Sequence, residues 1–180
     1  MYKSLIMLSG ALVLWCSCSN SVQQVIALSS ANEQPDQIGD SVLLSYIDTA
    51  GLRVVMSARY MRVYAMHTTQ PRTELDSGIH VIFYTLQGKP QAELFARKAI
   101  RYNSEKRSKA TGQVVLRNQQ GEQLETEVLS WDEQSGKLYT DAPVKITRQD
   151  EVLFGNGLTG NSDFSKYEML NITGRVKLNL

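Results

Sequence analysis

Apolar and polar residues alternate along most of the chain, in short runs that Gly, Asn, Asp and Pro interrupt. The stretch 112–174 has the clearest pattern. Val114 and Leu116 share one strand face, a polar turn follows at 118–121, and further runs cover 122–131, 137–140 and 144–147. Apolar positions two apart between turn residues are typical of half-buried antiparallel strands. The glycines within 155–158 add a predicted bend or bulge.

The earlier part of the chain follows the same pattern. Residues 41–64 predict a hairpin with its turn at 48–51. Residues 61–67 are predicted to extend this hairpin or to form a short helical turn. Residues 68–77 are predicted to form a loop around Pro71. Strands follow at 79–83 and 92–96. Residues 96–102 fit a strand or a helix, and a strand is favoured because a loose repeat of roughly thirty residues aligns them with 126–131.

The first 18 residues are predicted to be a targeting segment. Lys3 precedes an apolar run from Leu5 to Trp15, which is shorter than the roughly 20 residues that span a bilayer. Ser17 and Cys18 then resemble a lipoprotein signal, with Cys18 as the lipidated residue. The alternatives are lipidation at Cys16, a plain secretory signal, or a retained anchor. Residues 19–40 are polar and predict a flexible tether, with the apolar 25–28 as a possible contact for a membrane partner.

Both cysteines of the chain lie in this segment, so the mature domain is expected to have no disulfide and no cysteine metal site. The net charge of +1 argues against a nucleic-acid partner, because phosphate binding requires a basic excess.

Residue types that carry catalysis are sparse. The chain has two histidines, His67 and His80, and neither lies in a recognisable metal or catalytic motif. Five carboxylates alternate with apolar residues and predict a solvated sheet face rather than an acid–base pair; they are Glu122, Glu125, Glu127, Asp132 and Glu133. We therefore predict that the protein is not an enzyme and has no catalytic residue, metal or cofactor.

A basic run between residues 97 and 109 has two interpretations. Its members are Arg97, Lys98, Arg101, Lys106, Arg107 and Lys109. The first interpretation is a charged hairpin tip or sheet edge that discourages aggregation. The second is a contact with lipid phosphates or with an acidic partner surface.

The inward-facing positions are strongly apolar, and they predict either a closed core or a groove that stays open to acyl chains. The residues predicted for such a groove are Val54, Met56, Ile79, Val81, Phe83, Leu94, Leu116, Leu124, Val144, Ile146, Leu158, Phe164 and Met169. An apolar groove would shield lipid chains because each methylene removed from water contributes about 0.8 kcal/mol. The pattern of residues does not decide between the two.

An ordered series of residues resembles the LptC family, the periplasmic bridge proteins of lipopolysaccharide export, in a form close to its Bacteroidetes members. The series covers roughly 41–176 and consists of Gly78-Ile79, Val81 and Phe83; Ala96, Ala99 and Tyr102; Asn118 with Gly121-Glu122; Glu125-Thr126-Glu127, Leu129 and Trp131-Asp132; Tyr139-Thr140-Asp141 with Val144-Lys145-Ile146; and Gly155-Asn156-Gly157-Leu158, Asn161, Phe164, Tyr167, Asn171 and Gly174. With the strand pattern, it predicts an all-β, jelly-roll-like domain over 41–180, built from two facing antiparallel sheets and open along one side.

The resemblance implies a non-catalytic role in lipopolysaccharide transport and outer-membrane biogenesis. The protein would stand in the periplasm, anchored at the inner membrane. It would receive lipopolysaccharide from the subunits of an ABC transporter and pass it to a periplasmic bridge protein of the same fold, edge to edge. On this hypothesis Leu158, Phe164, Tyr167 and Met169 lie near the exit edge.

Two other functions stay open on the sequence alone. One is a structural envelope lipoprotein with a filled β-sandwich core, which scaffolds a complex without binding lipid. The other is an envelope hydrolase, which would need an active serine or a pair of carboxylates in a cleft.

Overall fold

The computed structural model describes residues 33–48, 51–66 and 68–178, and every regular element within them is a β-strand. The strands are β1 (Gln37–Asp48), β2 (Gly51–Tyr64), β3 (Arg72–Tyr84), β4 (Pro90–Ala96), β5 (Lys98–Tyr102), β6 (Arg107–Asn118), β7 (Gln123–Asp132), β8 (Lys137–Thr147), β9 (Glu151–Asn161) and β10 (Tyr167–Lys177). The predicted all-β class is confirmed.

The strands form one antiparallel sheet in the order β1-β2-β3-β4-β6-β7-β8-β9-β10. β4 and β5 are two halves of one line that breaks at Arg97. β4 lies between the second half of β3 and the second half of β6, and β5 lies between their first halves. Among the described strands, β1 and β10 pair with one neighbour each, so the sheet they form has two free edges and is open.

Most strands bend near their middle, where the pairing register shifts. β6 bends at Gly112 and Gln113, which both have positive φ, and β9 bends at Gly157, with φ of 81°. In β7, β8 and β10 the register shifts around residues 127, 142 and 173. Bends thus recur about every 15 residues from residue 97 onward, at one bend per strand. Two successive strands therefore span about thirty residues, which is the length of the predicted repeat. Bulges of this kind bend a sheet sharply.

The bends fold the sheet over itself into two facing halves. Half-sheet I contains the strand halves that meet at turns 85–89, 119–122 and 148–150, and half-sheet II contains those that meet at turns 103–106, 133–136 and 162–166. Phe83 in half-sheet I and Trp131 in half-sheet II meet edge to face at 6.0 Å between ring centroids. Their strands are three spacings apart in the ladder, about 14 Å in a flat sheet. The predicted pair of facing antiparallel sheets is therefore confirmed, with hydrogen bonding continuous between them.

Two details differ from the sequence prediction. The predicted loop at 68–77 was wrong, since β3 begins at Arg72 and residues 72–75 pair with both β2 and β5. The turn signal at Pro71 is real, but it ends at the strand start; the bend at Ser77 and Gly78 lies inside the strand. β1 begins at Gln37, before the start of the predicted hairpin at Ser41.

One further prediction is confirmed, and several others concern residues that the structure does not describe. Residues 98–102 form a strand, as favoured. The targeting segment, most of the tether, Cys16, Cys18 and His67 lie outside the described residues, and the proposed domain boundaries stay predictions.

The core of half-sheet I is one unbroken row of apolar residues. Directly paired residues run across the strands from β1 to β9, and they are Leu44, Met56, Val81, Leu94, Leu116, Leu124, Ile146 and Leu153. The last six are buried, and Leu44 and Met56 pack against them partly covered. Strand alternation thus provides a continuous apolar floor from one edge of the sheet nearly to the other.

Candidate functional site

An apolar cavity of about 370 Å³ lies between the two half-sheets, on the side of the fold nearer β1. Its floor includes the first four members of the apolar row, from Leu44 to Leu94, together with Val54, Ile79 and Phe83. Small-molecule sites in proteins are commonly clefts of this size lined by apolar side chains.

The opposite wall comes from half-sheet II, where a second row of paired residues crosses the strands. Its members are Gln37, Val63, Thr73, Arg101, Ser108, Trp131 and Leu138, and all of them line the cavity. Beyond Leu138 the row continues with Gly160 and Tyr167. None of this row belongs to the predicted groove set. The apolar pattern of this row is weak in the sequence because polar residues occupy several of its inward positions.

The predicted groove residues divide into two groups. Six of the thirteen line the cavity: Val54, Met56, Ile79, Val81, Phe83 and Leu94. Six others are buried away from it: Leu116, Leu124, Val144, Ile146, Leu158 and Phe164. Met169 packs partly covered against the core. The interior is therefore hollow on the β1 side and filled on the β9 side.

Phe164 is the residue at the centre of the filled side. It is fully buried, with 0% exposure, although it comes from the turn between β9 and β10. Its φ is +54°, which is unfavourable for a bulky L residue. Its ring stacks on Tyr167 with centroids 4.3 Å apart. The turn that carries it is held by Asn161, whose side-chain oxygen accepts from the Lys166 amide at 2.9 Å.

A chain of polar side chains ties this turn to the far ends of β6, β7 and β8. Asn118 Nδ2 donates to the Phe164 carbonyl at 2.9 Å and to Glu122 Oε2 at 2.8 Å. The Tyr167 hydroxyl donates to Glu122 Oε1 at 3.2 Å and accepts from Arg148 Nε at 2.8 Å. We call Asn118, Glu122, Arg148 and Tyr167 the latch.

The latch has a distinct electrostatic character. Burial raises the pKa of the Tyr167 hydroxyl, and the Arg148 donor offsets part of that shift. The same hydrogen bond raises the pKa of the Arg148 guanidinium. Both groups therefore keep their protons at neutral pH, so the hydroxyl can donate and accept at once.

Charged groups lie at the half-sheet II side of the cavity. Arg101 forms a bidentate pair with Glu133, with N–O distances of 2.7 and 2.8 Å, and this hydrogen bonding raises the pKa of Arg101. Lys109 follows Ser108 on β6, and strand alternation turns its exposed side chain to the outer face, beside Ser130 and Tyr139. The basic run belongs to the β5–β6 hairpin, and β5 pairs on both sides, so the run is no sheet edge.

The groups that could support catalysis are engaged in packing and ion pairs. His80 stacks on Phe95 at 4.5 Å, and its Nε2 lies 3.5 Å from Glu93. Glu125 pairs with Lys145 at 2.9 Å. Within the part of the chain that the structure describes, no group of three or more His, Cys, Asp or Glu could hold a metal ion. In the same part, no helix is long and apolar enough to cross a membrane.

Both free edges of the sheet carry exposed apolar side chains. On β1 these are Ile38, Leu43, Tyr46 and Ile47; on β10 they are Leu170, Ile172 and Val176. Exposed apolar edge strands are templates for pairing with another chain.

A family model described as LptC-related lipopolysaccharide assembly matches residues 4–177. The chain belongs to the LptC family. Membership implies involvement in lipopolysaccharide transport, in a family whose members are non-catalytic, periplasmic and associated with the inner membrane. No curated protein matches the chain.

Proposed function

We propose that this LptC-family protein holds the acyl chains of lipopolysaccharide in its apolar cavity and passes them along the sheet. It would receive lipopolysaccharide from inner-membrane ABC transporter subunits and deliver it to a periplasmic bridge protein of the same fold. The observation that carries the proposal is the cavity of about 370 Å³ over an apolar row that continues past it from β1 to β9. Enclosing a chain there removes methylene groups from water at about 0.8 kcal/mol each.

The charge distribution supports an amphiphilic ligand rather than a plain hydrocarbon. Apolar side chains dominate the floor, whereas Arg101 lies on the opposite wall. A lipid with acyl chains and phosphate groups has the matching chemistry.

The exposed edges support transfer between proteins of one fold. An edge strand offers unpaired N–H and C=O groups, so a second sheet can add to it and extend the apolar floor. We propose that β10 joins the bridge protein and that β1 faces the transporter. We also propose that lipidation at Cys18 anchors the chain at the inner membrane, with 19–40 as the tether.

Photo-crosslinking tests the binding proposal. Benzoylphenylalanine in place of Phe83 puts the photoreactive group in the cavity. Benzoylphenylalanine in place of Phe95, on the outer face of the neighbouring strand, is the control. We expect crosslinks to lipopolysaccharide at position 83 and background at position 95. Equal labelling at both positions, or none at any cavity position, would contradict lipid binding and favour the scaffold with a filled core.

A further inference from the structure

The apolar floor extends further than the cavity above it, and the Phe164 turn marks the point where the cavity stops. Leu94 lines the cavity, whereas its paired neighbour Leu116 is buried and does not line it. From Leu116 onward the same row continues through Leu124 and Ile146 to Leu153. Nothing in the strands themselves ends the groove at this point.

The filling group is contributed by a turn rather than by the sheet. Phe164 belongs to residues 161–167, which we call the plug segment. Gly160 leaves the opposite wall without a side chain, and a Cβ there would lie 2.9 Å from the Lys166 carbonyl oxygen and from Tyr167 Cβ. The sheet therefore has a seat into which the plug segment fits closely.

Besides the packing of the Phe164 ring, the contacts that hold the plug segment down are mostly side-chain hydrogen bonds. The latch joins it to β6, β7 and the β8–β9 turn, whereas the strands are joined by ladders of backbone bonds. The positive φ of Phe164 also favours release, because that conformation persists only while surrounding contacts impose it. Segments held in this way open at lower free energy than core strands.

We propose that the plug segment is a gate and that an acyl chain takes the place of Phe164 over the Leu116–Ile146 part of the floor. With Phe164 seated, the cavity is closed toward β10. With Phe164 withdrawn and the latch open, the apolar floor is uncovered from β1 to the strand before the β10 edge. This inference rests on the proposed function, since it extends the same lipid path.

Hydrogen exchange on the full wild-type chain, with and without purified lipopolysaccharide, tests the gate. The amides of Asn161, Phe164 and Lys166 are hydrogen-bonded within the plug segment. If lipid displaces Phe164, their exchange speeds up by about tenfold or more, while amides of β3 and β4 at the cavity slow down. Slower exchange at the cavity with an unchanged plug segment would overturn the gate and leave lipid binding intact. No change at either place would overturn both.

A diazirine-bearing long-chain fatty acid tests the path. We expect labelled peptides from β3 and β4 at the cavity and also from β7 and β8 under the plug segment. Labelling confined to the cavity strands would overturn the extended path.

The latch is tested by Tyr167→Phe, which retains the ring that stacks on Phe164 and removes the shared hydroxyl. The change removes two hydrogen bonds, but Arg148 Nε lies 3.2 Å from Glu122 Oε1 and keeps that pairing. The net loss of about one hydrogen bond should raise the exchange of the plug amides about fivefold without lipid. Tyr60→Phe is the matched control, because Tyr60 is exposed and lies on β2. If Tyr167→Phe exchanges like the wild type, the hydroxyl does not hold the gate.

Discussion

The rings of Phe83 and Trp131 meet edge to face with centroids 6.0 Å apart, although other strands separate β3 from β7 in the sheet. The bends make this contact possible, because each bent strand contributes one half to each wall. The contact spans the interior on the hollow side. On the filled side, the corresponding role falls to Phe164, which enters from a turn.

Truncating these two buried phenylalanines should give unequal losses of stability. Phe164 is surrounded by core residues, so Phe164→Ala should lower the free energy of unfolding by about 4–5 kcal/mol. Phe83 borders a cavity and has fewer partner atoms, so Phe83→Ala should lower it by about 3 kcal/mol. Urea unfolding of the full chain measures both. Equal costs would indicate that the interior is filled to the same density on both sides.

Gly155 is predicted to tolerate no side chain. A Cβ at this position would collide with the Asn171 carbonyl oxygen and would lie 2.6 Å from Met169 Sδ. Gly155→Ala should therefore push β10 away from β9 and cost about 1–3 kcal/mol in unfolding free energy. Gly174→Ala is the control on the same strand pair, since its Cβ would lie 3.7 Å from the nearest atom, in Phe154. A neutral Gly155→Ala would contradict the close packing of the two strands.

Acid should weaken the Glu125–Lys145 pair. The hydrogen bond from Lys145 holds the pKa of Glu125 below its ordinary value of 4.5. A lowered pKa in the folded state contributes stability above about pH 4.5, and this contribution is lost as the pH falls through the folded-state pKa. Both side chains are more than a third exposed, so the effect should stay below about 1 kcal/mol.

The measurement is the unfolding free energy of Glu125→Gln against the wild type at pH 7 and pH 3. The variant should be less stable at pH 7 and nearly equal at pH 3. Glu168→Gln, on the exposed edge strand β10, controls for the charge change. A difference that grows toward pH 3 would have the wrong sign for this pair.

Charges on the free edge of β10 should block partner binding without affecting the cavity. Lysines at Ile172 and Val176 remove exposed apolar surface and make β10 a poor template for strand addition. We expect at least about tenfold weaker binding of the double variant Ile172→Lys, Val176→Lys to a bridge protein of the same fold, measured by calorimetry.

The double variant Leu43→Lys, Ile47→Lys on β1 is its matched control and should bind the bridge protein normally. Crosslinking of lipopolysaccharide at Phe83 should persist in both double variants. Equal weakening by both pairs would contradict the assignment of β10 to the bridge protein.

Much of the fold was predictable, and the failures have identifiable causes. Strand alternation predicted the hairpins and the runs that form β6, β7 and β8. It failed at 72–76, where Pro71 and charged residues suggested a loop and Leu75 is the one apolar residue. The strand at 98–102 was favoured over a helix by the repeat, which reflects the regular spacing of the bends.

The sequence by itself determined the all-β class and which residues face inward, because a period of two fixes the face of a strand wherever the strand runs. The tertiary structure alone decided how far apart the two walls stand, and therefore where the interior is hollow. Val81 and Ile146 have the same alternation, yet only Val81 borders the cavity. The difference arises from the bends and from Phe164, which was predicted to face inward from a strand but enters from the turn between β9 and β10 and fills that side.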